Sequence, residues 1–321
     1  MRNFVLLTGA GFSKNWGGLT AREITNHLMS RVQNIPDLRE ALNRGNFEDV
    51  LSQVQSQYLA AKTPQNEGLV SAIQEALAGV FGDMNAQFAA RQFEFSNDIA
   101  HSIQRFLVRF DAIFTLNQDL LIELHYSNQN AAIWHGTRWQ GYELPGLREL
   151  PSEDAVAGRV RSKWVPQDQF RQTPNMQPYF KLHGSTAWRA QDGSSFMVMG
   201  RNKVGLIRSN AILRWNYEKF EEYLARPDTR LMVIGYGFAD DHINAIIVEA
   251  FCRSRLGLMY IVHPSGKSIL DRSPNAAIRV PQPIMEIPSV ECTVPLSAAF
   301  STDYLAQSLL EGIFGRSKAA K

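Results

Sequence analysis

Asn3-Phe4-Val5-Leu6-Leu7-Thr8, followed by Gly9-Ala10-Gly11-Phe12-Ser13, decides the fold. An apolar run bounded by glycine reads as a strand buried on both faces, as in a parallel sheet. The glycines let the backbone turn sharply and approach a ligand where a Cβ would intrude. A helix is expected from about Thr20 to Gln33, with Leu19, Ile24, Leu28 and Val32 along one side. Free N–H groups at a helix start, together with the helix dipole, favour a phosphate there. The loop is not a standard dinucleotide fingerprint, because Lys14 stands where a third glycine or alanine belongs. Nor is it a P-loop, since no Gly-Lys-Ser/Thr follows at the required distance.

The rest of the chain repeats this unit. Phe110-Asp111-Ala112-Ile113-Phe114-Thr115 is a second strand, leading through Leu116-Asn117-Gln118-Asp119 into a helix with Leu120, Leu121, Leu124 and Tyr126. Tyr179-Phe180-Lys181-Leu182 ends in His183-Gly184, and a hairpin is expected over 189–208 around Gln191-Asp192-Gly193-Ser194. Arg230 to Ile234 meets Gly235-Tyr236-Gly237, and Phe238 to Asn244 leads into a helix with Ile246, Ile247 and Phe251. Leu258 to Val262 meets a loop at His263-Pro264, and a last helix is expected near Asp303 to Phe314. Strands alternating with helices predict a Rossmann-like α/β fold, a parallel sheet with helices on both faces.

Between the first two strands the pattern becomes helical. Leu38, Leu42, Phe47, Val50, Leu51, Val54 and Tyr58 recur at helical spacing, as do Leu69, Ile73, Leu77, Val80 and Phe81, then Ile99, Ile103, Phe106 and Leu107. Gly45-Asn46 and Thr63-Pro64 are natural breaks. The expected organisation is a catalytic domain over 1–35 and 108–315, an inserted helical module over 36–107 and a flexible tail over 316–321. Residues 127–178 are poorly patterned, and Trp134, Trp139, Tyr142 and Trp164 are expected to pin that stretch to the body.

Composition narrows the function. A formal charge of +2 gives no argument for direct nucleic-acid binding. The first strand begins by residue 3, leaving no room for a signal peptide, and no apolar run approaches the ~18 residues of a membrane span. A cytoplasmic protein is expected, in keeping with its two cysteines, Cys252 and Cys292. Two cysteines cannot build a four-cysteine zinc ribbon, and seven histidines without a His-x-x-x-His pair give the expectation of no metal. Taken singly, Asn117 and Asp119 serve equally as helix caps, and His183 as a core histidine bonded to a carbonyl.

Four separated pieces nevertheless fit one pattern in order. Gly9-Ala10-Gly11-Phe12-Ser13 resembles the dinucleotide loop of the sirtuin family, and Thr115-Leu116-Asn117-Gln118-Asp119 its Thr-Gln-Asn-Ile-Asp stretch. Lys181-Leu182-His183-Gly184-Ser185 resembles its catalytic His-Gly, and Gly235-Tyr236-Gly237-Phe238 through Asp240 its second glycine turn. Departures accompany the match. The family's Pro-Asp-Phe-Arg is replaced by Asn15-Trp16-Gly17-Gly18-Leu19, and His263 stands where an Asn usually holds the adenosine ribose. His135-Gly136 lies at the shorter family spacing from Asn117 and rivals His183 for the base.

A sirtuin-like domain with a helical insert and no zinc module resembles the bacterial anti-phage NAD hydrolases. The resemblance implies NAD+ as substrate, cleaved between nicotinamide and ribose, and NAD depletion in abortive infection. It implies that Gly9, Ala10, Gly11, Phe12 and Ser13 hold the pyrophosphate, and that Asn117 holds a ribose hydroxyl or the attacking water. Asp119 would face the nicotinamide side or fix the loop, Gly235, Tyr236, Gly237 and His263 would complete the nucleotide site, and His183 would be the base. Control would come from homo-oligomer assembly or a separately encoded partner, a ring-shaped P-loop ATPase of the HerA type or an Argonaute protein. The alternatives are an NAD-dependent protein deacylase and a non-enzymatic module that binds NAD or ADP-ribose.

Overall fold

In the computed structural model, residues 3–90, 103–126, 128, 131–150, 163–190, 195–200, 202–271 and 280–296 are described. The chain opens with β1 (Asn3–Thr8), α1 (Ala10–Lys14) and α2 (Ala21–Arg31), then α3 (Pro36–Arg44), α4 (Phe47–Ala60), α5 (Pro64–Ala90) and α6 (Ile103–Leu107). β2 (Ala112–Thr115), α7 (Leu121–His125), α8 (Ala131–Trp134), β3 (Gly141–Glu143), β4 (Leu147–Leu150) and β5 (Lys163–Pro166) follow. Next are β6 (Met176–Lys181), β7 (Gly184–Arg189), β8 (Ser195–Met197), α9 (Lys203–Ser209) and α10 (Ala211–Leu224). β9 (Thr229–Ile234), α11 (Asp241–Cys252), β10 (Leu256–Val262), α12 (Gln282–Glu286) and β11 (Ser289–Cys292) complete the order.

Seven strands form one sheet in the order β11-β10-β9-β1-β2-β6-β3, and every pairing is parallel. From β1 the chain builds outward through β2 and β6, crosses back to β9, and builds outward again through β10 and β11. The winding therefore reverses between β1 and β9, which is where open α/β sheets bind ligands, at the carboxyl ends of the strands. α10 packs across β1, β6 and β9, and α11 on β10. Burial under flanking helices explains why Val5, Leu6, Leu7, Ile113, Phe114, Leu231 and Val233 form continuous apolar runs rather than alternating ones. The expected Rossmann-like α/β sheet is the observed one.

Local chemistry sets the helix ends between β1 and β2. Thr20 and Glu23 form a capping box at the start of α2. Pro36, expected to end or follow a helix, opens α3 at its first turn, where its missing N–H costs nothing. The Asn46 side chain accepts the Asp49 N–H at the start of α4. α2 packs against α3, α4 and α5, and the buried side chains of these helices and of the sheet form one continuous core.

The stretch 127–178 is more ordered than its composition suggests. It supplies α8 and three short strands, two of which join β7 and β8 in a second sheet of order β4-β5-β7-β8. Strands of three or four residues are too short to show a period. The tryptophans do bind it to the body: Trp134 packs on Tyr126 at 5.0 Å between ring centroids, and the Trp139 indole N–H donates to the Val108 carbonyl. β7 and β8 pair antiparallel across the expected turn, whose residues Gln191–Ser194 lie outside the described ones, but the hairpin expected over 189–208 ends at Met197 and its last part is helix α9. Also outside them are Ile99, the helix expected over 303–314 and the tail over 316–321. Among the described residues, no helix is long and apolar enough to cross a membrane.

Candidate active site

The two glycine turns meet at the reversal point. The Gly9 N–H donates to the Ile234 carbonyl and the Gly11 N–H to the Gly235 carbonyl, both at 2.9 Å. A Cβ on Gly235, at φ +64°, would lie 2.3 Å from Gly11 backbone, and one on Gly9 would lie 2.7 Å from the Gly235 oxygen. Glycine is thus required here so that two backbones can touch. These two N–H groups are satisfied within the protein. Ala10 is exposed and Gly11 half-buried, and they form the outer surface of the turn, while Phe12 is buried in the core.

Beside this turn lies a short chain of side-chain hydrogen bonds. Asn117 Nδ2 donates to Ser13 Oγ at 2.9 Å, and Ser13 Oγ donates to Asp119 Oδ2 at 2.7 Å. Asp119 Oδ1 accepts the Leu121 N–H. Thr8 and Thr115 hydroxyls join across β1 and β2, and Thr115 Oγ1 also accepts the Asn117 N–H. Ser13 and Asp119 are both buried, and the serine hydroxyl links Asn117 to Asp119, which is tied in turn to the loop backbone. With its NH₂ group held, Asn117 keeps its amide oxygen to accept a hydrogen bond. The long α5 supports this loop, since Asn85 Oδ1 accepts the Leu120 N–H while its Nδ2 donates to Thr186 Oγ1 on β7.

The second group gathers at the end of β6. His183 is 4% exposed, and its Nε2 stands 3.2 Å from Nε2 of His242 at the start of α11. Potential ligand atoms of His183, Asp240 and His242 all lie within 4.8 Å of one another. A divalent ion could use such a set, but Lys203 Nζ donates to Asp240 Oδ1 at 2.8 Å and supplies positive charge there. Lys203 also pairs with Glu48 of α4 at 3.0 Å. Burial drives the His183 pKa down to about 3, partly opposed by Asp240. Burial lowers His242 as well, again opposed by Asp240. Burial opposes the charge of Asp240, yet attraction to His183 and Lys203 outweighs it and holds the carboxyl below its ordinary range. The result is a neutral imidazole at neutral pH beside a carboxylate, a proton acceptor with its counter-charge already in place.

The other expected residues take supporting positions. Tyr236 is buried, and its hydroxyl accepts the Asp240 N–H and donates toward the Asp240 carbonyl and Asn244 Oδ1, bracing the turn into α11. Gly237 is half-buried beside Phe238, which is fully buried at φ +52°, a conformation that costs a bulky side chain energy. His263 ends β10, two strands from β1, and its Nδ1 accepts the Ser265 N–H. His135 is exposed and lies three residues from Arg138, which pairs with Asp111 just before β2, at the amino ends of the strands. Asn117 and His183 instead follow the carboxyl ends of β2 and β6, which are adjacent and paired from Ile113–Tyr179 to Thr115–Lys181.

Sequence reasoning passed over Asn85, Glu48, Lys203 and His242. Asp240 was in view as the end of the second glycine turn and His242 only in the lead into a helix, and their signal was three ionisable residues directly after that turn. Glu48 and Lys203 are 155 positions apart in sequence and gave no signal before folding. A groove of about 990 Å³ over the small sheet, lined by Arg148, Lys163, Arg171 and Arg189, takes in none of these residues.

Residues 111–277 match the family model of the SIR2-like domain. That span holds Asn117, Asp119, His183, the Gly235 turn, His242 and His263, while the Gly9 turn lies before it and folds onto it. No curated protein matches the chain. With just over half of its 321 residues inside the match, the chain belongs to the SIR2-like domain family, which uses NAD+ as substrate.

Proposed function

We propose that the protein is an NAD+ hydrolase that cleaves the nicotinamide–ribose bond, giving ADP-ribose and nicotinamide. The observation that carries this reading is the convergence of Asn117 and His183 at the ends of adjacent strands beside the reversal point of the sheet. Breaking the glycosidic bond leaves an oxocarbenium-like ribose, as in glycoside hydrolysis, and nicotinamide departs neutral with the bonding electron pair. Water then attacks the ribose carbon and must lose a proton. The free amide oxygen of Asn117 orients that water or a ribose hydroxyl, and neutral His183 accepts the proton. The packed glycine turns fix both groups against one rigid backbone, and rigidity of this kind is what makes positioning effective.

The biological role follows from the same reading. Unchecked, such an activity depletes NAD, which suits anti-phage defence by abortive infection. Control then rests on self-assembly or on a separately encoded ring-shaped ATPase or Argonaute protein. The helices over 36–107 act as a module that shapes the nicotinamide side of the cleft, and their contacts through Asn85 and Glu48 are in keeping with that. Incubation of the purified chain with NAD+, with nicotinamide and ADP-ribose quantified by chromatography, tests the reading. Release abolished by Asn117→Ala is expected. Turnover that requires an acylated peptide would instead make the protein a deacylase.

A further inference from the structure

His183 and His242 turn the same nitrogen toward each other, Nε2 to Nε2 at 3.2 Å. Two unprotonated nitrogens would repel at that distance, so one ring carries its proton between them and the other accepts it. Among the described residues this is the one hydrogen bond of the His183 ring, so its Nδ1 is left to meet substrate. The two rings differ in exposure. His183 is only 4% exposed, whereas His242 is half-buried at the first turn of α11.

The groups facing the pair come from every neighbouring element. Asp240 precedes α11, Asp241 stands beside His242, and Lys203 reaches in from α9 to Asp240. Glu48 of α4 holds Lys203 from the far side. The Tyr217 ring of α10 lies 5.5 Å from the His242 ring, and its buried hydroxyl has no hydrogen-bond partner among the described residues. Asp240 and Asp241 oppose the lowering of His242 by burial and by Lys203, so that a proton arriving on this ring meets carboxylates beside it.

We propose that His183 and His242 form a two-imidazole proton relay, with His183 as the catalytic base and His242 as the positioning residue that takes the proton onward. Resting on the hydrolase reading above, the relay runs as one balanced step. The attacking water gives its proton to His183 Nδ1 as its oxygen bonds the ribose carbon. The proton on His183 Nε2 passes to His242 Nε2. His242 becomes an imidazolium facing Asp240 and loses its Nδ1 proton to solvent. Once product leaves, solvent reprotonates His242 Nδ1, the Nε2 proton returns to His183 and His183 Nδ1 gives its proton to incoming water, which restores the starting tautomers. Each turnover thus consumes one water and releases one proton, and His183 never has to hold a buried positive charge. Relay also explains how a histidine depressed by burial can act as a base near neutral pH: its partner takes up the proton where solvent can stabilise the charge.

Two measurements test this on the intact chain. The first compares NAD+ hydrolysis across pH for the native protein, His242→Gln and His242→Ala. Glutamine keeps a hydrogen bond to His183 but cannot take a proton. The relay predicts that both variants lose kcat by about 10- to 100-fold with KM little changed, and that added imidazole restores part of the activity of His242→Ala only. Full activity in His242→Gln would overturn the relay while leaving the hydrolase standing. The second uses ¹⁵N-histidine spectra and is independent of turnover. In the native chain the Nε2 resonances of His183 and His242 are expected to titrate together, and His242→Gln to change the tautomer of His183. A His183 signal untouched by His242→Gln overturns the pairing even in a protein that releases no nicotinamide, a result that would by itself count against the hydrolase.

Discussion

Two polar groups flank the proposed cleft, and they are built on opposite principles. The Asn117–Ser13–Asp119 group is a short chain of hydrogen bonds that runs inward from Asn117 and ends on a carboxylate tied to backbone, leaving only the outer end open. The His183–His242–Asp240–Lys203–Glu48 group is an open chain of titratable side chains running from the core to the helices between β1 and β2. Satisfied hydrogen bonds rigidify what they hold, whereas a chain of ionisable groups can change state. On the proposed function, the comparison would assign orientation and proton transfer to different halves of one site. They share a scaffold because both halves hang from the ends of neighbouring strands.

The largest effects should come from the two groups that face substrate. Asn117→Ala is expected to lower NAD+ turnover by about 10²–10³-fold and His183→Ala by about 10²–10⁴-fold, with melting temperatures close to native for Asn117→Ala. Steady-state kinetics should also separate them, since only the His183 variant changes the shape of the pH profile. Matching profiles would erase the division of labour.

Next is Lys203→Met, which leaves Asp240 and Glu48 without the cation between them. A loss of about 3 kcal/mol in urea unfolding is expected, together with weakened activity. Ser13→Ala breaks the other chain and strips one partner from buried Asp119. It should cost about 1–3 kcal/mol with no change in pH dependence. If Ser13→Ala moved the pH profile and Lys203→Met did not, the two halves would be wrongly described.

The smallest effect is a slope in stability with pH. Folded His183 titrates at about 3 against an ordinary 6.5, so between those values the unfolded chain holds a proton that the folded chain lacks. Stability therefore falls as pH drops below about 6.5, by at most ~1.4 kcal/mol per unit for this residue. His242 and His125, both lowered first by burial, add to the slope in the same direction. Asp240 acts below its ordinary 3.8, where acid removes a stabilising charge. His183→Gln should flatten the unfolding free energy between pH 6.5 and 5, read by urea titration, and an unchanged slope would show that His183 is not buried in its neutral form.

Much of this arrangement is written in local patterns. β1, β2, β9 and β10 are apolar runs ending at glycine or at a polar pair, and buried parallel strands must look that way. Asn117 and His183 stand out because each ends such a run. What stayed hidden depends on long-range closure. Strands as short as β3 and β4 carry no period, and nothing local tells Glu48 that Lys203 will reach it. The glycines carry a further lesson. Gly9 and Gly11 read as a phosphate cradle, and what the fold shows of them is that their N–H groups donate to Ile234 and Gly235 and that the absence of Cβ atoms serves backbone contact. A loop's glycines report close approach without saying what approaches.

The central claim is that Asn117 and His183 act on one NAD+ molecule, and release of nicotinamide and ADP-ribose by the purified native chain, beside Asn117→Ala, tests it most directly. Release by the native protein that disappears in the folded variant is the predicted result. Equal release from both proteins would contradict it.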